Sequence, residues 1–133
     1  MSRPIALTFN VDVVERQRLL DGAEHVWLEG AAPADGGDWM LSLNYARPKE
    51  SGFAVDEADL TLETPAGAIQ AGLESGRVEV TVDDVAGDEQ EQLALEFHVE
   101  AGDGEFLQVT GTARIRGEVS SAVGQVELIL DLA

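Results

Sequence analysis

Apolar and polar residues alternate with a period of two along most of this chain, the spacing of strands with one face buried. Ile5, Leu7, Phe9, Val11 and Val13 predict one such face, with Ala6, Thr8, Asn10 and Asp12 on the other. Residues 15–20 fit either a helical turn or a continuing strand, closed by Asp21-Gly22. A strand near residues 24–30 follows, then a loop over 31–38 rich in Ala, Gly and Asp. Trp39, Leu41, Leu43 and Tyr45 mark the next apolar face, and residues 47–53 read as a second loop.

From Ala58 the pattern also predicts register, because directly opposed residues must share a face. Pairing Leu62 with Ile69 leaves Thr64-Pro65-Ala66-Gly67 as a turn with proline second, where its φ is already set. Pairing Leu73 with Val78 makes Ser75-Gly76 a two-residue hairpin loop and sets Glu74 against Arg77. Further on, Leu93, Leu95, Phe97 and Val99 alternate, as do Leu107, Val109, Ala113, Ile115 and Val119. Setting Ile115 against Leu128 brings Gly117 opposite Val126 and Gly111 opposite Leu132. Small residues facing large ones on a long strand mark a bend where a sheet curls over its core.

The sum is an all-β chain, residues 1–133 as a single domain, with about nine antiparallel strands in hairpin meanders and little or no helix. One helical turn at residues 88–92 fits the pattern. An odd number of strands does not close as an all-antiparallel barrel, so the expected architecture is a β-sandwich or a partly open barrel. In that architecture residues 5–13, with Asp12 their one charge, form a weakly guarded edge suited to pairing with another chain.

Within the last third, Gly102-Asp-Gly-Glu-Phe106 followed by Gly111-Thr-Ala-Arg-Ile-Arg-Gly117 resembles the glycine-punctuated hairpin of allene-oxide-cyclase-like and dirigent-like β-barrels. The resemblance spans residues 102–117, implies a lean toward a barrel, and carries no functional residues with it.

Charge changes the picture of partners. Acidic residues number 26 against 8 basic ones, a formal net charge of -18. Lys49 is the only lysine, and between Glu50 and Glu105 the only lysine or arginine is Arg77. Such a field disfavours nucleic acid and anionic membrane surfaces, whose binding rests on Lys and Arg. It suits a chain made for high salt, or an acidic face aimed at a cationic partner or a divalent metal. The scarcity of lysine favours the halophilic reading. No stretch reaches the ~18 apolar residues of a membrane helix. The first residues lead straight into alternation without the apolar run of a signal peptide, and the compartment stays open. The chain has no cysteine, so thiolate chemistry and disulfides are excluded.

Candidate chemistry is sparse. No nucleophile elbow, phosphate-binding loop, metalloprotease helix or dinucleotide-binding glycine pattern is present. His25 and His98 have no second histidine at ligand spacing, and alternation places His98 outside with Glu96 and Glu100. The acidic run that includes Asp83, Asp84, Asp88 and Glu89 offers hard oxygen ligands suited to Ca²⁺, though not at EF-hand spacing. Arg114 and Arg116 share an outer face and predict pairing with acids of neighbouring strands. Trp27, Trp39, Tyr45 and Phe53 gather in the first half, as core or as the wall of a ligand pocket.

The expectation is a non-catalytic β-module acting by binding or self-assembly, as in a particle, filament or surface assembly, with another protein or its own copies as partner. One alternative is a carrier of a small apolar ligand in an aromatic-lined cavity. Another is a barrel enzyme using His25 or His98 with a carboxylate.

Overall fold

A computed structural model describes residues 4–20, 23–34, 36–47, 54–82, 89–120 and 123–132. They form eight strands: β1 (Ile5–Arg18), β2 (Glu24–Ala32), β3 (Trp39–Arg47), β4 (Ala58–Thr64), β5 (Gly67–Val82), β6 (Glu89–Gly102), β7 (Gly111–Val119) and β8 (Gly124–Leu132). Each pairs antiparallel with its neighbours in sequence, and β8 returns to β1, so the sheet closes as an up-and-down barrel.

Closure corrects the expected sandwich or partly open barrel, and the cause is local. Ser75-Gly76 is not a hairpin loop; β5 runs through it, paired with β6 from Ile69 to Val82. The register steps between Leu73 and Ser75, where Glu74 is an extra residue, a β-bulge. A bulge and a two-residue loop both shift the inward set by one position, so the sequence pattern accommodates either. With one strand where two were expected, the count is even and closure follows. The single helical turn expected at residues 88–92 is, from Glu89 onward, the start of β6.

A second bulge, between Val11 and Val13, reshapes β1. Phe9 and Val11 face inward before it, and Val14 and Arg16 after it, while Val13 turns outward against Glu29. The five-residue apolar face expected through Val13 therefore ends at Val11. The lower part of β1, Ile5 to Val11, pairs with β8, and Asn10 to Arg18 pairs with β2. This stagger gives the strand tilt a closed barrel requires. It also corrects the expected free edge, since β1 has a partner strand on each side.

Elsewhere the expected pairings hold, but Leu107 and Val109 precede β7 instead of extending its inward face, and Leu107 is 67% exposed. Leu62 opposes Ile69 across the Pro65-Ala66 turn, and Ile115 opposes Leu128. Gly117 faces Val126 and Gly111 faces Leu132.

An eight-stranded barrel has a lumen just wide enough for side chains to fill it. Here Phe9, Leu28, Leu43, Leu60, Phe97 and Ile115, with their neighbours, form one buried cluster running through the interior. At one end Trp39 meets Phe106 edge-on, ring centroids 6.3 Å apart. Phe106 ends a 3₁₀ turn, Gly104–Phe106, in the β6–β7 connection. That connection is strapped to the β4–β5 turn: the Glu105 N–H donates to the Ala66 carbonyl at 2.9 Å, and Asp103 Oδ1 accepts from the Ala68 N–H at 2.7 Å. Gly67 sits at φ 146° in this strap, and a Cβ there would lie 2.3 Å from the Asp103 carbonyl oxygen. Glycine is required on both counts.

Candidate functional site

The opposite mouth of the barrel carries charge. Glu91 continues the inward face of Leu93, Leu95 and Phe97, and its side chain is 1% exposed. An ionised carboxylate in such a place needs partners. Tyr45, on β3, donates its hydroxyl to Glu91 Oε2 at 2.6 Å. Arg16, on β1, makes an ion pair with Glu91 Oε1, and Arg47 stands 3.8 Å from the same atom. A rim of acids completes the group: Arg16 donates to Glu24 at 2.9 Å and Arg47 to Glu89 at 3.2 Å.

None of the three contacts to Glu91 comes from a strand adjacent to β6, so they cross the lumen. Burial pushes the Tyr45 hydroxyl well above the ordinary tyrosine range, reinforced by the charge of Glu91 and the hydrogen bond to it. For Arg16, burial works against the charged form. The pull of Glu91, with hydrogen bonds to Glu24 and Glu91, outweighs it and raises the pKa. The arrangement keeps Tyr45 a neutral donor and Arg16 a fixed cation, and it closes this end of the lumen with paired groups, Glu91 Oε2 by a hydrogen bond and Oε1 by ion pairing without a well-shaped hydrogen bond.

The four aromatic residues do not line one pocket. Tyr45 and Trp39 point inward at opposite ends of β3, as core. Trp27 points outward, stacked on His25 with centroids 4.1 Å apart and planes 9° from parallel. Phe53 lies outside the described residues. His25 Nε2 also stands 3.3 Å from Asn44 Oδ1 on β3.

His98 faces outward, as expected, and meets two carboxylates. Nδ1 lies 2.8 Å from Glu74 Oε1 and Nε2 3.0 Å from Glu100 Oε1. Nδ1 is shielded from solvent and makes no well-shaped hydrogen bond. Glu74 is the extra residue of the β5 bulge, and Glu100 the extra residue where the register steps between Gln70 and Ala71. The two bulges therefore form a clasp around one histidine. The expected Glu74–Arg77 pair is not formed in register; Arg77 meets Glu79 at 3.2 Å.

Of the calcium candidates, Asp83, Asp84 and Asp88 lie outside the described residues, while Glu89 is exposed and paired with Arg47. Among the described residues no group of three or more His, Asp or Glu is arranged to hold a metal ion. Arg114 and Arg116 are exposed, opposite Glu96 and Glu127 in register.

Sequence reasoning missed the mouth cluster. Its signal was present: counting back by two from Leu93 reaches Glu91, an acid at an inward position. No protein-family model matches this chain, and comparison with curated proteins finds no relative.

Proposed function

We propose that this protein is a non-catalytic β-barrel module that works by contact, presenting its acidic outer surface to a basic partner protein. The observation that carries the reading is the division of the molecule. Apolar side chains fill the lumen from Trp39 to Tyr45, the buried acid is neutralised at one mouth, and most of the carboxylates face solvent. A carrier of apolar ligands needs interior room, and apolar side chains from every strand pack together in this lumen. Self-assembly is the weaker form of the contact reading. Copies each bearing a net charge of -18 repel one another, and β1 already pairs on both sides. His98 is engaged by a carboxylate at each ring nitrogen, which supports a clasp across the β5 bulge more than acid–base chemistry on a substrate.

The test sets the two uses of a barrel against each other. A neutral apolar dye should show no stoichiometric uptake, and a basic polypeptide should form a defined complex and raise the melting temperature at about 0.15 M salt. Stoichiometric dye uptake with stabilisation, and no effect of the polypeptide, would overturn the contact reading in favour of a carrier.

A further inference from the structure

The outer face of β1 and β2 carries a small square of side chains. Val13 stands directly opposite Glu29, and Glu15 directly opposite Trp27. Val13 and Glu15 are two apart on one strand, Trp27 and Glu29 two apart on the other, so all four project from the same face. The carboxylates occupy one diagonal and the apolar groups the other. Between them lies an open depression of about 170 Å³ lined by these four residues.

Three features of the square point to a cation. The indole of Trp27 is half-buried, with one ring face covered by His25, and the depression is walled by Trp27 but not by His25. An indole face is the best aromatic partner for an ammonium or guanidinium group. Glu15 and Glu29 are exposed, and neither has an ion pair among the described residues, although Arg16 and Arg18 belong to the same strand as Glu15. The field of the whole molecule draws cations toward such a place.

A second depression, of about 350 Å³, adjoins the first and shares Glu29 as a wall, with Met40, Ser42, Thr61 and Glu63 around it. Met40 is 47% exposed, an apolar rest for the stem of a long side chain. Two acidic depressions in a row across β1 to β4 suit an extended chain bearing successive cations better than one small ammonium compound.

We propose that this face is the docking site of the basic partner: an arginine or lysine side chain of an extended basic segment stacks on the free face of Trp27, its charge held between Glu15 and Glu29, and a second cation of the segment reaches Glu63. The proposal rests on the contact reading above and names the place and chemistry of that contact. Stacking supplies specificity that the diffuse negative surface lacks, because surface charge alone binds every basic segment alike.

The test is binding of a short dye-labelled peptide of alternating arginine and glycine, followed by fluorescence anisotropy at about 0.15 M NaCl. Trp27→Leu should weaken binding about tenfold, and Trp27→Phe, which keeps an aromatic face, distinctly less. Glu15→Gln with Glu29→Gln should cost at least about threefold more than Glu118→Gln with Glu127→Gln, which removes the same charge from β7 and β8. Thermal melts confirm that each variant is folded. A wild-type protein that ignores the peptide overturns both this site and the basic-partner reading. Binding that is unchanged in Trp27→Leu, or equally weakened by the two double variants, overturns the site alone.

Discussion

The Tyr45 hydroxyl reaches across the barrel from β3 to donate a 2.6 Å hydrogen bond to Glu91 on β6, with β4 and β5 between them on the shorter path round the sheet. Glu91 is thereby held at Oε1 by Arg16 and at Oε2 by Tyr45. A buried carboxylate held this way stabilises only relative to its own broken state, because desolvating both charges offsets most of their attraction.

Glu91→Leu should therefore destabilise by about 3–5 kcal/mol, since it leaves Arg16 partly buried beside a stranded tyrosine hydroxyl. Replacing Glu91, Arg16 and Tyr45 together by Leu, Leu and Phe should cost much less than that single change. Urea unfolding of the single and triple variants decides. A triple variant as weak as the sum of its parts would mean that the ion pair contributes to stability outright.

Tyr45 is the only tyrosine in the chain, so its ionisation can be followed directly. Its folded pKa is raised above the ordinary value of 10.0 by burial and by Glu91. The unfolded state then loses its proton first as pH rises. The stabilisation is present in full below about pH 10 and falls progressively above it. Tyrosinate absorbance should appear together with loss of strand circular dichroism, not before it. Tyr45→Phe should flatten the alkaline decline in stability, at a cost of about 1.5–3 kcal/mol near neutral pH for a lost hydrogen bond to a charged group. A tyrosinate signal that titrates near pH 10 in a still-folded protein would contradict the buried, Glu91-bound hydroxyl.

Much of this fold was legible in the sequence, and most of what was not traces to two bulges and to closure of the sheet. Alternation and the pairing rule give Leu62 with Ile69, Ile115 with Leu128, and the glycines Gly111 and Gly117 against large partners. Bulges are invisible to alternation, because one extra residue shifts parity as a reversal of chain direction does. At Glu74 that ambiguity produced a false hairpin, and at Asp12 it hid the turn of Arg16 into the lumen. The mouth cluster joins residues up to 75 positions apart, as Arg16 and Glu91 are. Their meeting follows only from closure, so local pattern does not supply it. Likewise the stacking of His25 on Trp27 was within reach of a two-residue spacing, but the outward face of Trp27 was not separated from the inward faces of Trp39 and Tyr45.

Gly76 tests the corrected register. It lies opposite Leu95 inside a continuous strand, not at a turn with positive φ. A Cβ added there would stand 2.5 Å from Leu95 Cδ2 and 3.2 Å from Leu73 Cδ1. Gly76→Ala should cost about 1–3 kcal/mol as overpacking. In a Leu95→Ala background the same change should be neutral or stabilising, since the added methyl then enters the space that Leu95 left. Additive costs in that double-mutant cycle would mean that Gly76 is needed for its backbone conformation, as in the hairpin.

Self-repulsion of a net -18 on one small barrel is strongest where screening is weakest, and the Debye length falls from ~10 Å at 0.1 M salt to ~3 Å at 1 M. The buried Arg16–Glu91 contact is screened far less than the surface. Salt should therefore relieve the repulsion while sparing the attraction, and the melting temperature should climb from low to molar NaCl and KCl alike. Exchanging exposed acids without an ion pair among the described residues, such as Glu63 and Glu105, for glutamine should raise the melting temperature at low salt and flatten the rise. A flat or falling curve for the parent protein would remove the high-salt reading. A rise produced instead by micromolar Ca²⁺ at low salt would direct attention to the acidic run around Asp83 and Asp84. Light scattering on the same samples should report a monomer throughout, because closure gives β1 a partner on each side, and association that strengthens with salt would restore self-assembly as the form of contact.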